Sequence, residues 1–126
     1  MDSFAYASAL EGELKRTVRG EVRFDAGARA LYATDASNYR HIPIGLVVPR
    51  DDADVIAAFE ACRKYGAPIL ARGAGTSLAG QCCNVAVILD FSKYMHRILE
   101  LDPARKFARV QPGVVLDTLR NRAEKH

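Results

Sequence analysis

Short apolar runs alternate with segments of helical periodicity along most of the chain. The three clearest runs are Leu46-Val47-Val48, Pro68 to Ala71 and Val85 to Leu89, each too short for a helix. Continuous apolar runs of this length are typical of strands in a sheet covered on both faces. We therefore predict three buried strands in this part of the chain.

The segment between the first two runs has the spacing of a helix that extends to about Tyr65. Its expected buried face carries Val55, Phe59 and Cys62, at spacings of four and three. Asp51 or Asp52 is the expected N-cap, and Gly66 the expected left-handed C-cap. A strand–helix–strand crossover of this kind makes its two strands parallel.

Helices are also predicted at both ends of the chain. Residues 1–19 form an amphipathic pattern capped by Ser3 and ended by Gly20, with a buried face of Phe4, Ala7, Leu10 and Leu14. Asp25 is the expected cap of a short helix that reaches Leu31 or Tyr32. The last helix, from about Val114 to Glu124, is expected to bury Val115 or Leu116, Leu119 and Ala123.

Residues 97–110 alternate loosely around Asp102-Pro103-Ala104-Arg105, which predicts a hairpin. Residues 35–39 are rich in short polar side chains and predict a capped turn. Together these elements indicate an α+β fold, a small parallel or mixed sheet with flanking helices.

The second and third strands are joined by a glycine-rich loop, Arg72 to Gln81. Glycines let several backbone N–H groups point into one hollow, and such hollows bind anions. Thr76 and Ser77 add hydroxyl donors and are expected to begin a short helical turn that favours phosphate. The loop also follows the carboxyl end of a strand, where ligands bind in parallel sheets. We interpret it as a phosphate or pyrophosphate cradle.

Two common phosphate motifs do not fit this loop. A P-loop ends in Gly-Lys-Ser/Thr, and the loop has no lysine. A Rossmann fingerprint requires glycine at the sixth position, where Leu78 stands, and a long helix afterwards. A glycine-rich hairpin without a ligand is the alternative that remains.

The sequence Arg-Gly-Ala-Gly-Thr-Ser-Leu-Ala-Gly-Gln resembles the pyrophosphate loop of the FAD-linked oxidases, the flavoproteins of vanillyl-alcohol-oxidase and p-cresol-methylhydroxylase type. Similarity extends from about Leu14 to the end of the chain. It is most evident for the D-lactate, glycolate and D-2-hydroxyglutarate dehydrogenases, some of which carry an iron–sulfur region. The matching stretches beyond the loop are Asp35 to Tyr39, Val48 to Arg50, Asp90 to Tyr94 and Val110 to Val114.

This resemblance implies that residues 1–40 are an N-terminal helical extension. Residues 41–126 would be the N-terminal part of a p-cresol-methylhydroxylase-type FAD-binding domain, its first and incomplete subdomain. The substrate domain would lie beyond His126, so no catalytic residue is expected here, and an iron–sulfur cluster is possible only in that later region. The expected cofactor-binding residues are Arg72, Gly73, Ala74, Gly75, Thr76, Ser77, Gly80, Gln81, Pro112 and Gly113.

The resemblance also bears on how FAD is held. Some relatives attach the flavin through a histidine in this loop, whereas this chain has Thr76, which implies non-covalent FAD. Pro112 and Gly113 match a position that approaches the flavin from a neighbouring strand end. Arg72 has two interpretations: it contacts phosphate or braces the loop, or it pairs with a nearby acid.

Composition excludes several function classes. The net charge of +3 is small and scattered, which argues against nucleic-acid binding. No apolar run approaches a membrane span, and no secretory signal is evident. Three cysteines form an odd count without a disulfide framework, which favours a reducing cytoplasm. Neither the adjacent Cys82 and Cys83 nor the dispersed histidines have metal-ligand spacing, so no metal site is expected. The histidines are expected at the surface or in turns.

Three functions remain open. The first is a flavoenzyme that oxidises a small D-2-hydroxy acid. The second is a non-catalytic nucleotide- or phosphate-binding module, and the third is an interaction domain whose loop is only structural. The oligomeric state is not predicted.

Overall fold

The computed structural model describes residues 5–126. Its main sheet contains β1 (Glu21–Arg23), β2 (Gly45–Val48), β3 (Ile69–Arg72) and β4 (Val87–Asp90), in the order β1-β2-β4-β3. The strands β2, β4 and β3 are mutually parallel, whereas β1 pairs antiparallel with β2. The predicted crossover is thus confirmed, with β4 inserted between its two strands.

Helices and a separate hairpin surround this sheet. The helices are α1 (Ala7–Thr17), α2 (Ala26–Leu31), α3 (Asp52–Tyr65) and α4 (Leu116–Ala123). The hairpin pairs β5 (Ile98–Asp102) with β6 (Phe107–Val110), as the alternating pattern predicts. The mixed sheet with flanking helices confirms the α+β prediction. Within residues 5–126, no helix is both long and apolar enough to cross a membrane.

The core lies on both faces of β2 and β4. On one face Val47, Val87 and Leu89 pack with residues of α1 and α3. On the other face Leu46 and Ile88 pack with a smaller cluster that includes α2. Alternate residues of each strand therefore meet different helices, which explains why these strands are apolar without interruption.

The prediction that all three strands are buried is wrong for β3. This strand lies at the edge of the sheet, where Ile69 and Leu70 are half-buried and Ala71 is exposed. The third strand also begins later than predicted, because Val85 is 38% exposed and pairing starts at Val87. A local apolar run does not reveal which strand occupies the edge.

The capping predictions for α3 are confirmed, but its buried face differs. Asp51 caps the helix by accepting the N–H of Asp54, and Gly66 is left-handed with a φ of 65°. Phe59 is 52% exposed, so its predicted burial is wrong. The helix packs instead through smaller residues, which allow a close approach to the sheet: Asp54, Ala58, Ala61 and Cys62.

Asp54 is a carboxylate in the buried interface of α3. It is 1% exposed. Its oxygens accept the N–H groups of Arg19, Gly20 and Arg50, at 2.9 to 3.0 Å. A buried charge is tolerated when its hydrogen bonds are satisfied in this way. The carboxylate ties the segment before β1 to the N-terminal end of α3.

The N-terminal helix is confirmed, but it is shorter than predicted. Leu10 and Leu14 are buried as expected, while the proposed cap Ser3 and face residue Phe4 lie outside the described residues. The helix ends with Val18 as its C-cap, so Gly20 does not end it. A Cβ atom at Gly20 would lie 2.1 Å from the carbonyl oxygen of Val48, and glycine is needed there for close packing.

The last helix is present, but its predicted burial is wrong. None of the α4 residues is buried, and Val115 and Leu116 are 59% and 74% exposed. Leu119 is only half-buried and Ala123 is exposed. These two residues line an open cavity of about 400 Å³ between α4 and the hairpin, so the apolar side of the helix does not close onto a core.

Candidate functional site

The three parallel strands β2, β4 and β3 have their carboxyl ends on the same side of the sheet. The glycine-rich loop leaves β3 at Arg72, and Ser92 follows β4 at the same edge. Because β3 and β4 are parallel, the loop is a crossover and not the turn of a plain hairpin. Ligands bind at this edge in parallel sheets, so the loop has the expected position for a ligand site.

Two glycines of the loop have left-handed backbones. Gly75 has a φ of 71° and Gly80 a φ of 79°. The chain at Thr76 and Ser77 is irregular and contains no helical turn, so the predicted helix start is wrong. Anion binding at this loop would therefore depend on its own curled backbone, since the loop has no helix N-terminus to offer.

Most N–H groups of the loop are free to bind a ligand. The backbone N–H groups of residues 73–78, 80 and 81 have no hydrogen-bond acceptor within residues 5–126. By contrast, Ala79 donates to the side chain of Gln81, and Cys82 donates to Asp35. An anion placed against the loop would accept hydrogen bonds from these donors.

The side chain of Arg72 lies under the loop. Its Nη1 donates to the carbonyl oxygens of Cys82 at 3.1 Å and Tyr32 at 3.5 Å. Its guanidinium lies 5.1 Å from the ring centroid of Tyr32. Among the described residues it forms no ion pair with a carboxylate. The loop-bracing interpretation thus agrees with these contacts, and the acid-pairing interpretation does not.

The two left-handed glycines are each covered by a neighbouring side chain. A Cβ atom at Gly75 would lie 2.5 Å from Nη2 of Arg72, and one at Gly80 would lie 2.9 Å from the ring of Tyr39. A side chain at either position would have to displace that neighbour. The left-handed backbone conformation is the stronger reason for glycine at both positions.

An open cavity of about 610 Å³ adjoins the loop. Of the predicted cofactor-binding residues, Ala74, Thr76 and Gly113 line it. Gly73 is close to this group, because its Cα faces the carbonyl oxygen of Pro112. The structure thus places the loop next to the Pro112-Gly113 turn. The remaining predicted residues, Arg72, Gly75, Ser77, Gly80 and Gln81, are not among those that line the cavity.

Gly113 fits where it does because it has no side chain. A Cβ atom there would lie 2.2 Å from the carbonyl oxygen of Phe91, and its N–H donates to Met95 at 2.8 Å. This contact holds the turn after β6 against the segment after β4. One wall of the cavity is fixed in this way.

Sequence reasoning missed a polar cluster behind the cavity. The hydroxyl of Tyr32 donates to Asp90 at 2.5 Å, and the other carboxylate oxygen accepts both the N–H and the hydroxyl of Ser92. Ser92 also lines the cavity. Burial and the bond to Asp90 raise the pKa of Tyr32 to about 12. The position of Asp90 and Ser92 at a strand's carboxyl end was the available signal.

Among residues 5–126, the cysteines and histidines are not part of any cluster of metal-ligating side chains. Cys62 and Cys83 are buried, and burial raises the pKa of the Cys62 thiol to about 11, far from a reactive thiolate. His41, His96 and His126 are exposed, as predicted.

Sequence comparisons point to flavoproteins. A family model described as an FAD binding domain matches residues 43–126. D-2-hydroxyglutarate dehydrogenase of Escherichia coli is 38% identical over 103 residues, which are 79% of this chain and 10% of that protein. Glycolate oxidase subunit GlcD of Bacillus subtilis is 36% identical over 109 residues, 82% of this chain and 23% of that protein. The chain thus spans between about a tenth and a quarter of the length of these relatives.

Structural comparisons show the same fold as part of two larger proteins. p-Cresol methylhydroxylase matches 94% of this chain and 24% of its own, with a TM-score of 0.78 at 20% identity. 4-Ethylphenol oxidase from Gulosibacter chungangensis matches 96% of this chain and 25% of its own, with a TM-score of 0.76 at 26% identity.

Proposed function

Because this chain belongs to the FAD binding domain family and FAD is the cofactor of that family, we propose that the loop from Gly73 to Ser77 binds the FAD pyrophosphate. The observation that carries this proposal is a run of N–H groups at residues 73–78 that have no partner within residues 5–126, next to the cavity of about 610 Å³. Pro112 and Gly113 would approach the cofactor from the opposite wall. Gly80 and Gln81 would close the loop.

The residues of the loop itself fit a diphosphate, while one acidic residue, Asp117, also lines the cavity. The loop offers neutral N–H donors, and among residues 73–81 there is no acidic side chain to repel phosphate. Arg72 would act from beneath as a fixed positive charge and a brace. Thr76 cannot form the histidyl bond of some relatives, so FAD would be held without a covalent link. When bound, FAD supplies the hydride-accepting chemistry that no side chain offers.

For the whole protein we propose oxidation of a small D-2-hydroxy acid. Support comes from relatives named D-2-hydroxyglutarate dehydrogenase and glycolate oxidase subunit, of which this chain spans only a small part. Residues 1–40 would be an N-terminal extension of the domain, and the substrate-binding residues would come from elsewhere in the protein. We further propose a cytoplasmic location.

The first experiment is a titration of the chain with FAD and, separately, with ADP, followed by flavin fluorescence and backbone amide signals. We expect both ligands to shift the signals of residues 73–78, with FAD affinity weaker than about 1 μM because only part of the cofactor's contact surface lies in this chain. Submicromolar FAD affinity would contradict the expected division of the binding site. Binding of ADP without FAD would favour a nucleotide-binding module, and a lack of response to either would refute the cradle.

The second experiment tests the reaction in the whole protein. Anaerobic mixing with D-2-hydroxyglutarate or glycolate should bleach the flavin absorbance as the cofactor is reduced. The L-enantiomer of 2-hydroxyglutarate is the matched control and should leave the absorbance unchanged. Failure of both hydroxy acids to reduce a bound flavin would reject the proposed substrate class without affecting the cradle.

A further inference from the structure

The rear of the glycine-rich loop rests on residues 34–41, a segment that precedes the region matched by the family model. We propose that Asp35, aided by the backbone N–H of Ala36, is a positioning residue that sets the loop's N–H groups for phosphate. This inference rests on the proposed function and extends the binding unit to a segment without direct access to the ligand.

Asp35 links the loop to its own segment through both carboxylate oxygens. Oδ1 accepts the N–H of Ser37 at 2.9 Å, and Oδ2 accepts the N–H of Cys82 at 3.2 Å. The hydroxyl of Ser37 in turn accepts the N–H of Tyr39 at 3.1 Å. The side chain of Asp35 is thus fixed locally before it holds the far limb of the loop.

Two hydrogen bonds with different residues hold the backbone of Cys82 in place. Its N–H donates to Asp35, and its carbonyl oxygen accepts Nη1 of Arg72 at 3.1 Å. Arg72 is the residue that also fills the space beside Gly75. Asp35 and Arg72 therefore clamp the two limbs of the loop through one shared residue.

Ala36 decides which way a central peptide of the loop faces. Its N–H donates to the carbonyl oxygen of Gly75 at 3.0 Å. No peptide bond of the described chain is cis, so the N–H of Thr76 points away from that carbonyl oxygen and from Ala36. Thr76 lines the cavity, and its N–H has no partner within residues 5–126. The bond from Ala36 thus orients a free donor of the proposed cradle.

This positioning matters because a loop with several glycines has many accessible conformations. When a ligand has to order such a loop, the lost conformational entropy lowers its affinity. A loop that is already held in place does not impose this loss. The contacts from residues 35 and 36 supply that order before any ligand arrives. Removal of Asp35 should therefore weaken phosphate binding even though its carboxylate would repel phosphate at close range.

The test compares three variants of the ¹⁵N-labelled chain by amide spectra, first without ligand and then with ADP. Asp35→Ala should shift or broaden the signals of Gly75 to Cys82 without ligand, and weaken ADP binding about tenfold. Asp35→Asn retains one acceptor oxygen for two N–H groups. Its signal shifts and its ADP affinity should therefore lie between those of Asp35→Ala and wild type. Asp102→Ala is the matched control, since Asp102 accepts the N–H of Arg105 at 3.0 Å in the distant hairpin.

The two readouts separate the two proposals. Unchanged loop signals in Asp35→Ala, or equal loss of ADP binding in Asp102→Ala, would overturn the positioning role. A disturbed loop in Asp35→Ala together with no ADP or FAD response in wild type would support the positioning of the loop but overturn the proposed function. If Asp35→Ala does not fold, the comparison of Asp35→Asn with wild type decides by the same criteria.

Discussion

At Gly75, the backbone conformation restricts the choice of residue, and the movable Arg72 side chain occupies the space that a side chain would need. Its φ is 71°, and a Cβ atom would lie 2.5 Å from Arg72 Nη2. We expect Gly75→Ala to lower the free energy of unfolding by about 1–2 kcal/mol through backbone strain alone, and to weaken ADP binding by displacing Arg72. Urea unfolding and ADP titration measure the two effects.

Gly73 provides the matched control for that prediction. A Cβ atom at Gly73 would meet only the carbonyl oxygen of Pro112, at 3.9 Å, and its φ is not left-handed. Gly73→Ala should change the free energy of unfolding by less than about 0.5 kcal/mol. Equal destabilisation by the two substitutions would show that the loop conformation described above is wrong.

Tyr32 permits a test of the polar cluster behind the cavity. Burial first, and then its bond to Asp90, raise the pKa of Tyr32 from 10.0 to about 12. A raised folded-state pKa means that its contribution to stability is complete below about pH 10 and is lost as pH rises toward 12. We expect Tyr32→Phe to destabilise the protein by about 1 kcal/mol at neutral pH, measured by urea unfolding.

The same substitution should alter the response to alkali. Wild type should lose stability between about pH 10 and 11 faster than Tyr32→Phe, because the variant has no hydroxyl to ionise at this site. Parallel losses in the two proteins would indicate that Tyr32 titrates normally. Residue-level sequence reasoning did not anticipate this cluster, since Tyr32 and Asp90 are brought together only by the fold.

At the scale of elements, α3 shows how much local sequence can specify. Its predicted caps, Asp51 and Gly66, are both confirmed. The predicted burial of Phe59 is wrong, because helical periodicity alone does not show how close the helix lies to the sheet. The small residues Ala58 and Ala61 fill that interface instead.

Gly66 gives a prediction that separates backbone strain from packing. Its φ is 65°, and a Cβ atom would meet nothing within 4 Å. Gly66→Ala should therefore cost about 1 kcal/mol from conformation alone, and Gly66→Asn less, because asparagine tolerates the left-handed region. Urea unfolding of both variants tests this order, and an equal or larger loss in Gly66→Asn would contradict it.

Gly113 should behave in the opposite way. Its φ is not left-handed, but a Cβ atom would lie 2.2 Å from the backbone of Phe91. Gly113→Ala should cost more than Gly66→Ala, on the order of 2–3 kcal/mol, because backbone atoms must move. A milder effect than that of Gly66→Ala would mean that the turn after β6 does not lie against Phe91.

At the scale of the whole molecule, several carboxylates accept hydrogen bonds that lower their pKa, either from distant lysines or from nearby backbone N–H groups. The hydrogen bond from Lys93 lowers the pKa of Glu21, and the hydrogen bond from Lys64 lowers that of Glu13. Local backbone N–H groups lower the pKa of Asp51 and Asp25. The folded state thus favours their ionised forms.

These shifts predict how stability depends on acid. A lowered folded-state pKa contributes stability that is complete above the unfolded value and lost as pH falls. The free energy of unfolding should therefore be nearly constant from about pH 7 to pH 5 and fall below about pH 4. Urea unfolding across this range tests the prediction, and constant stability down to pH 3 would contradict it.

The sequence by itself determined the caps of α3, the parallel crossover, the hairpin and the position of the glycine-rich loop. These features depend on local spacing, on residues with special backbone conformations and on the fixed geometry of a crossover. The motif also sufficed for the family, because the order of Arg72 to Gln81 and its flanking stretches is specific.

Only the tertiary structure decided which residues surround the loop and how its peptides are turned. The strand order left β3 at an edge, the helix α4 stayed outside the core, and residues 35 and 36 came to lie behind Gly75 and Cys82. Each of these results depends on contacts between residues distant in the chain. Local periodicity carries no information about such contacts, since it specifies which faces are apolar but not what will cover them.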